Sequence, residues 1–171
     1  MLEHLLGALF MAFFWQQVAF VGHDLGHNSV THDRDTDFFW AACLGDAIGG
    51  ISMGWWKDSH DVHHIYCNSN EHDMNIQHQP IFAVDKSMFG RFFSTYHKRW
   101  IQTDAAARFL VQYQHWLYLP VMGIARFNLY AQGIKYLIRS RNAEYRWMEL
   151  ASVVTFIGWF STMVTLCLGS W

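Results

Sequence analysis

An all-α, integral membrane fold is predicted by three features of the sequence: a low charge content, two long apolar runs near its ends, and a polar, histidine-bearing stretch between them. Of the 171 residues 52% are hydrophobic and 18% aromatic, and only 15% are charged, against roughly 25% charged in an average soluble domain. Crossing a bilayer takes about 20 apolar residues. Residues 5–22 and 150–168 approach that length, the first with Gln16 and Gln17 as its only polar pair and the second with no charge. The organisation expected is one domain over 1–171. It has a transmembrane helix at 1–27, an embedded or in-plane helix at 38–56, a cytosolic cap at 57–108, an interfacial or spanning segment at 109–146 and a second transmembrane helix at 147–171.

The first helix reads as part of the mature chain, because Glu3 stands where a signal peptide carries basic residues and no small-residue cleavage site follows. Residues 28–37, N-S-V-T-H-D-R-D-T-D, are rich in Asp, Asn and Ser suited to end one helix and cap the next. Residues 38–56 are apolar but broken by Gly45, Asp46, Gly49, Gly50 and Gly54. Fully helical they would cover roughly 28 Å, and the glycines disfavour that. If the histidine groups on either side share one site, the segment begins and ends on one face of the membrane. Phe109 to Ala125 is interrupted by Gln112, Gln114, His115 and Pro120, which leaves its crossing open. Arg126, Lys135, Arg139, Arg141 and Arg146 against Glu144 place the next segment in the cytosol by the positive-inside rule.

Three cysteines, Cys43, Cys67 and Cys167, are odd in number and form no C-x-x-C pair, which argues against a disulfide framework and a thiolate metal site. A formal net charge of −2 gives no nucleic-acid footprint.

Five of the eleven histidines fall in two tight groups. His23 and His27, in H-D-L-G-H, are four apart and share a helix face. His60, His63 and His64, in S-H-D-V-H-H, follow the i, i+3, i+4 pattern of one helix side. A lone histidine is most often a surface or satisfied core residue. Two groups at the ends of apolar segments argue for metal, since five such rings are costly to bury without partners. Neutral imidazole suits iron, zinc, copper and nickel. The H-E-x-x-H of zinc proteases and the Glu-x-x-His of carboxylate di-iron bundles are both absent. His4, His32, His97 and His115 have no comparable neighbours.

H-D-L-G-H followed by G-W-W-K-D-S-H-D-V-H-H, then N-S-N-E-H-D-M-N-I-Q-H-Q-P-I-F-A-V and A-R-F-N-L-Y, resembles the membrane fatty-acid desaturases. The likeness is to the front-end, cytochrome b5-dependent branch, and within it to fungal sphingolipid delta-8 desaturases. It implies a partial desaturase fold with a di-iron centre of two Fe ions, O2 as co-substrate, and a double bond introduced into a fatty acyl or sphingoid chain. It further implies electrons from cytochrome b5, fused or separate, and its NAD(P)H reductase. The place implied is the endoplasmic reticulum membrane, multi-pass, with cytosolic histidine boxes.

Carried over by position, His23, His27, His60, His63 and His64 are the expected iron ligands. Asp24 and Asp61, beside ligands, are candidates for orienting imidazole N–H groups or for simple helix caps. His72, Asp73 and His78 fall in a segment the family also has, where Met74-Asn75 departs from the usual Pro-Asp; they are expected to shape the cap over the site. No third box, Q-x-x-H-H, and no H-P-G-G haem signature occurs, and a span expected before the first box is missing. The chain is therefore expected to be a central fragment with an incomplete iron centre, inactive alone. Alternatives are a lipid hydroxylase on the same scaffold and a non-catalytic, metal-binding membrane protein.

Overall fold

The computed structural model describes residues 2–141 and 143–169. In chain order it holds α1 (Leu2–Gly26), α2 (Arg34–Ala41), a π-helical segment (Ala42–Ile48), α3 (Met53–Ile65), β1 (Arg91–Ser94), β2 (Arg99–Gln102), α4 (Ala105–Gln112), α5 (Gln114–Arg139) and α6 (Arg146–Leu168). The chain divides into two compact units, Met1–Trp56 with Tyr130–Trp171, and Lys57–Leu129.

In the first unit, α1 and α6 are long and apolar enough to cross a membrane. Only 6% and 11% of their most apolar windows is buried, so neither is the core helix of a globular domain. Leu5, Phe10, Phe13, Val154 and Leu166 point outward instead, as lipid-facing side chains do. These helices lie where spans at 1–27 and 147–171 are expected, with residues 1, 170 and 171 outside the described residues. Helix α5, which covers most of the segment left open at 109–146, does not meet the same length and hydropathy test.

The turn after α1 is organised by two aspartates. Asp33 caps α2, accepting the Thr36 N–H at 2.8 Å. Asp37, fully buried, accepts the Thr31 N–H at 2.9 Å and the Thr31 hydroxyl at 2.7 Å. Farther along, Tyr145 stacks on Phe38 with ring centroids 4.0 Å apart. Its hydroxyl donates to Asp35, which pushes the phenol up to about 12.

The span 38–56, expected as an embedded or in-plane helix broken by glycines, consists of the end of α2, the π-helical segment, a short link and the start of α3. The wider π turn leaves carbonyls exposed at its end. Two indoles from the flanking helices fill that need: Trp15 donates to the Ile48 carbonyl at 3.0 Å and Trp159 to the Ala47 carbonyl at 2.7 Å. Leu25, Phe38, Ala41, Ala42 and Met53 form the core beneath.

The second unit holds a feature the all-α expectation lacked. Strands β1 and β2 pair antiparallel, Phe92 opposite Ile101 and Phe93 opposite Trp100, with the Arg91 guanidinium 4.2 Å from the Trp100 ring centre. Phe92 points into a core of Ile76, Ala83, Met88 and Val111. Asp104 caps α4 by accepting the Ala107 N–H at 2.8 Å, and the chain breaks at Tyr113 before α5.

Candidate metal centre

His23 and His27 occupy the end of α1, where helical spacing brings their rings edge to face with centroids 4.5 Å apart. The Trp56 ring lies 5.3 Å from each. That approach depends on Gly26, since a Cβ there would collide with the Trp56 ring. The glycine of H-D-L-G-H is thus a packing requirement of its own histidine group. Asp24 meets His23 Nδ1 at 3.2 Å, with its own carboxylate largely in the open.

The second group ends α3. His60 and His63 stack with centroids 5.4 Å apart, and His64 sits edge-on to His60 at 4.7 Å. His60 Nε2 and His64 Nε2 face each other at 3.1 Å. Two ring nitrogens so placed must either share a proton or turn their lone pairs to a common cation.

His63 is held differently. Its Nδ1 lies 2.8 Å from Asp73 Oδ2, and Asp73 is fully buried. The same carboxylate accepts the backbone N–H groups of Asn68 and Asn75, both at 2.9 Å. An acceptor so occupied requires the proton on His63 Nδ1, which leaves Nε2 with a free lone pair.

Of the remaining candidates, His72 Nδ1 lies 3.1 Å from the Thr95 hydroxyl and its ring packs on Tyr66, which ties the loop to the hairpin. The His78 ring meets Phe82. Asp61 is exposed. Burial, with a lesser push from the Asp61 charge, raises the Asp58 carboxyl above the usual range.

Two groups escaped the sequence reading. Cys67, set aside there, brings its sulfur within 4.8 Å of the His63 and Asp73 ligand atoms; its i+4 distance from His63 is the signal that could have found it. The buried acids Asp46 and Glu149 gave no such signal, being far apart in the chain.

The donor set fits a divalent transition metal: grouped imidazoles, one of them fixed by a buried carboxylate in the tautomer that ligates through Nε2. Imidazole alone does not choose iron over zinc.

Both groups lie within a recognised family. The fatty acid desaturase family profile matches residues 2–171, and the chain belongs to that family. Among curated proteins it is 40% identical over 168 residues to a Delta 8-(E)-sphingolipid desaturase of Emericella nidulans, covering 95% of this chain and 31% of that protein. It is 38% identical to an Acyl-lipid (9-3)-desaturase of Borago officinalis over 99% of this chain and 38% of that one. A Delta(8)-fatty-acid desaturase 2 of Arabidopsis thaliana is 40% identical over 95% of this chain and 36% of its own length. The chain thus spans about a third of the length of these relatives. No solved structure matches.

Proposed function

We propose that this chain is the part of a lipid desaturase that carries the first two histidine boxes, with His23, His27, His60, His63 and His64 as iron ligands. The substrate class is a fatty acyl or sphingoid long-chain base, in line with the printed activities of the relatives. The observation that carries the ligand assignment is the clamp on His63, whose Nδ1 is committed to a buried aspartate at 2.8 Å. A histidine serving only as a surface group has no need of a buried anion to set its tautomer.

When bound, a pair of irons supplies the O2-dependent oxidising power needed to remove hydrogen from an unactivated C–H bond. The protein's own part is to hold and orient the ligating rings. Asp73 fixes the His63 tautomer, Trp56 shields the His23 and His27 rings, and Asp24 has a weaker hold on His23 because water competes for it. The apolar exteriors of α1 and α6 support a place in a membrane; the setting in this reading is the endoplasmic reticulum, multi-pass, with the histidine boxes on the cytosolic side. Cytochrome b5 and its NAD(P)H reductase are the electron donors in this reading.

The test is His63→Ala in the full-length protein. Desaturated product and bound iron are expected to fall to background while membrane insertion is unchanged. Wild-type product levels in that variant would remove His63 from the ligand set, and a hydroxylated product from the unmutated protein would assign a hydroxylase.

A further inference from the structure

Helix α3, which carries the second histidine group at its C-terminal end, has its first turn gripped by two carboxylates. Asp46 of the π-helical segment accepts the Met53 N–H through Oδ1 at 2.9 Å. Glu149 of α6 accepts the Gly54 N–H at 3.0 Å and the Ser52 hydroxyl at 2.6 Å, both through Oε2. The Ser52 oxygen in turn accepts the Trp55 N–H at 3.1 Å. Three consecutive amides that a helix start leaves without partners are thereby satisfied.

Both acids are buried, Asp46 at 0% and Glu149 at 1% exposure. Glu149 lies in the first turn of α6, just ahead of the apolar run 150–168, where the helix dipole favours an acid. Neither acid forms an ion pair among the described residues. Asp46 Oδ2 is buried and receives no hydrogen bond from them. The other titratable groups facing the pair are Cys43, beside Asp46, and Tyr136, whose ring neighbours Glu149 at Gly54. Neither brings a positive charge. Gly54 is required for the approach, as a Cβ there would lie 2.5 Å from Glu149 Oε1.

We propose that Asp46 and Glu149 are a positioning pair that pins the first turn of α3 and so fixes the register at which the helix presents His60, His63 and His64. The link to the histidines rests on the metal assignment above. The grip on the helix start does not.

The experiment follows the full-length protein in membranes with two readouts: amide hydrogen exchange over residues 50–58, and Fe(II) retained per chain after desalting. Asp46→Ala and Glu149→Ala are expected to speed exchange by about tenfold or more, since each removes the partner of a buried amide, and to lower Fe(II) retention. Asp46→Asn and Glu149→Gln, which keep a side-chain oxygen able to accept these amides, are expected to leave both readouts near the wild type. If they exchange as fast as the alanine variants, the hold of these oxygens on the helix start is overturned. Unchanged exchange in Glu149→Ala would overturn the grip, and fast exchange with full Fe(II) retention would overturn the positioning role. Should the alanine variants fail to accumulate, Ser52→Ala, which removes one of the donors to Glu149, is expected to speed exchange by a smaller factor, and no change there would count against the pair. Failure of the metal assignment has its own signature: Fe(II) retained in His63→Ala, with exchange at residues 50–58 as in the wild type.

Discussion

His63 differs from its neighbours in having one ring nitrogen already committed. Asp73 holds it and two backbone amides at once, so this carboxylate is expected to matter out of proportion to its distance from any metal. Asp73→Ala leaves a half-buried imidazole N–H and two amides without their acceptor, at a cost of about 1–3 kcal/mol. Metal affinity is expected to fall roughly 10- to 100-fold, as for other groups that orient a ligand; titration with Fe(II) against a colorimetric chelator measures it, and an affinity equal to wild type would show that the ring is oriented by something else. The spacing of His60, His63 and His64 was legible in the sequence, because i, i+3 and i+4 share a helix face. The Asp73 contact was not legible by spacing. It lies ten positions on from His63, beyond the end of α3, and only the fold brings it back.

Among the elements, α2 and the turn before it depend on charge. The Asp33 carboxyl is held below its ordinary 3.8 by the hydrogen bonds from Thr36. Burial works to raise Asp37, but the bonds from Thr31, Val30 and His32 outweigh it and the net shift is also downward. Carboxyls with lowered folded values bind protons less readily folded than unfolded. Their contribution to stability is therefore complete above the ordinary range and is lost as pH falls through the folded values. Protection of the amides of residues 30–41 is expected to decline below about pH 4, ahead of the core of the same unit, in exchange measured by mass spectrometry. Element-level reading of the sequence succeeded where one signal dominated, as in the apolar runs of α1 and α6. It failed at β1 and β2, four residues each, where Phe92-Phe93 and Trp100-Ile101 are too short for a clear alternation. For residues 38–56 the glycines correctly spoke against one continuous helix. The π geometry depends on indole donors that arrive from α1 and α6, and no local pattern announces them.

At the scale of the whole molecule, the chain keeps its polar chemistry at helix ends and turns its apolar residues outward along two helices. The features hardest to see in the sequence are those joining remote positions, such as Ser52 to Glu149 and Trp159 to Ala47. They are also the ones that join the π-helical segment and the link after it to the last helix. Of nine tryptophans, Trp56 stands apart because its ring lies 5.3 Å from both His23 and His27. A paramagnetic ion seated on those histidines would drain the excited indole before it could emit. Subtracting the fluorescence of Trp56→Phe from that of the unaltered protein should isolate a band that dims as Fe(II) is added and recovers with a chelator; a band indifferent to iron would mean that those rings hold none. The contact that Gly26 permits for reasons of packing thus furnishes the molecule with its own optical gauge of occupancy.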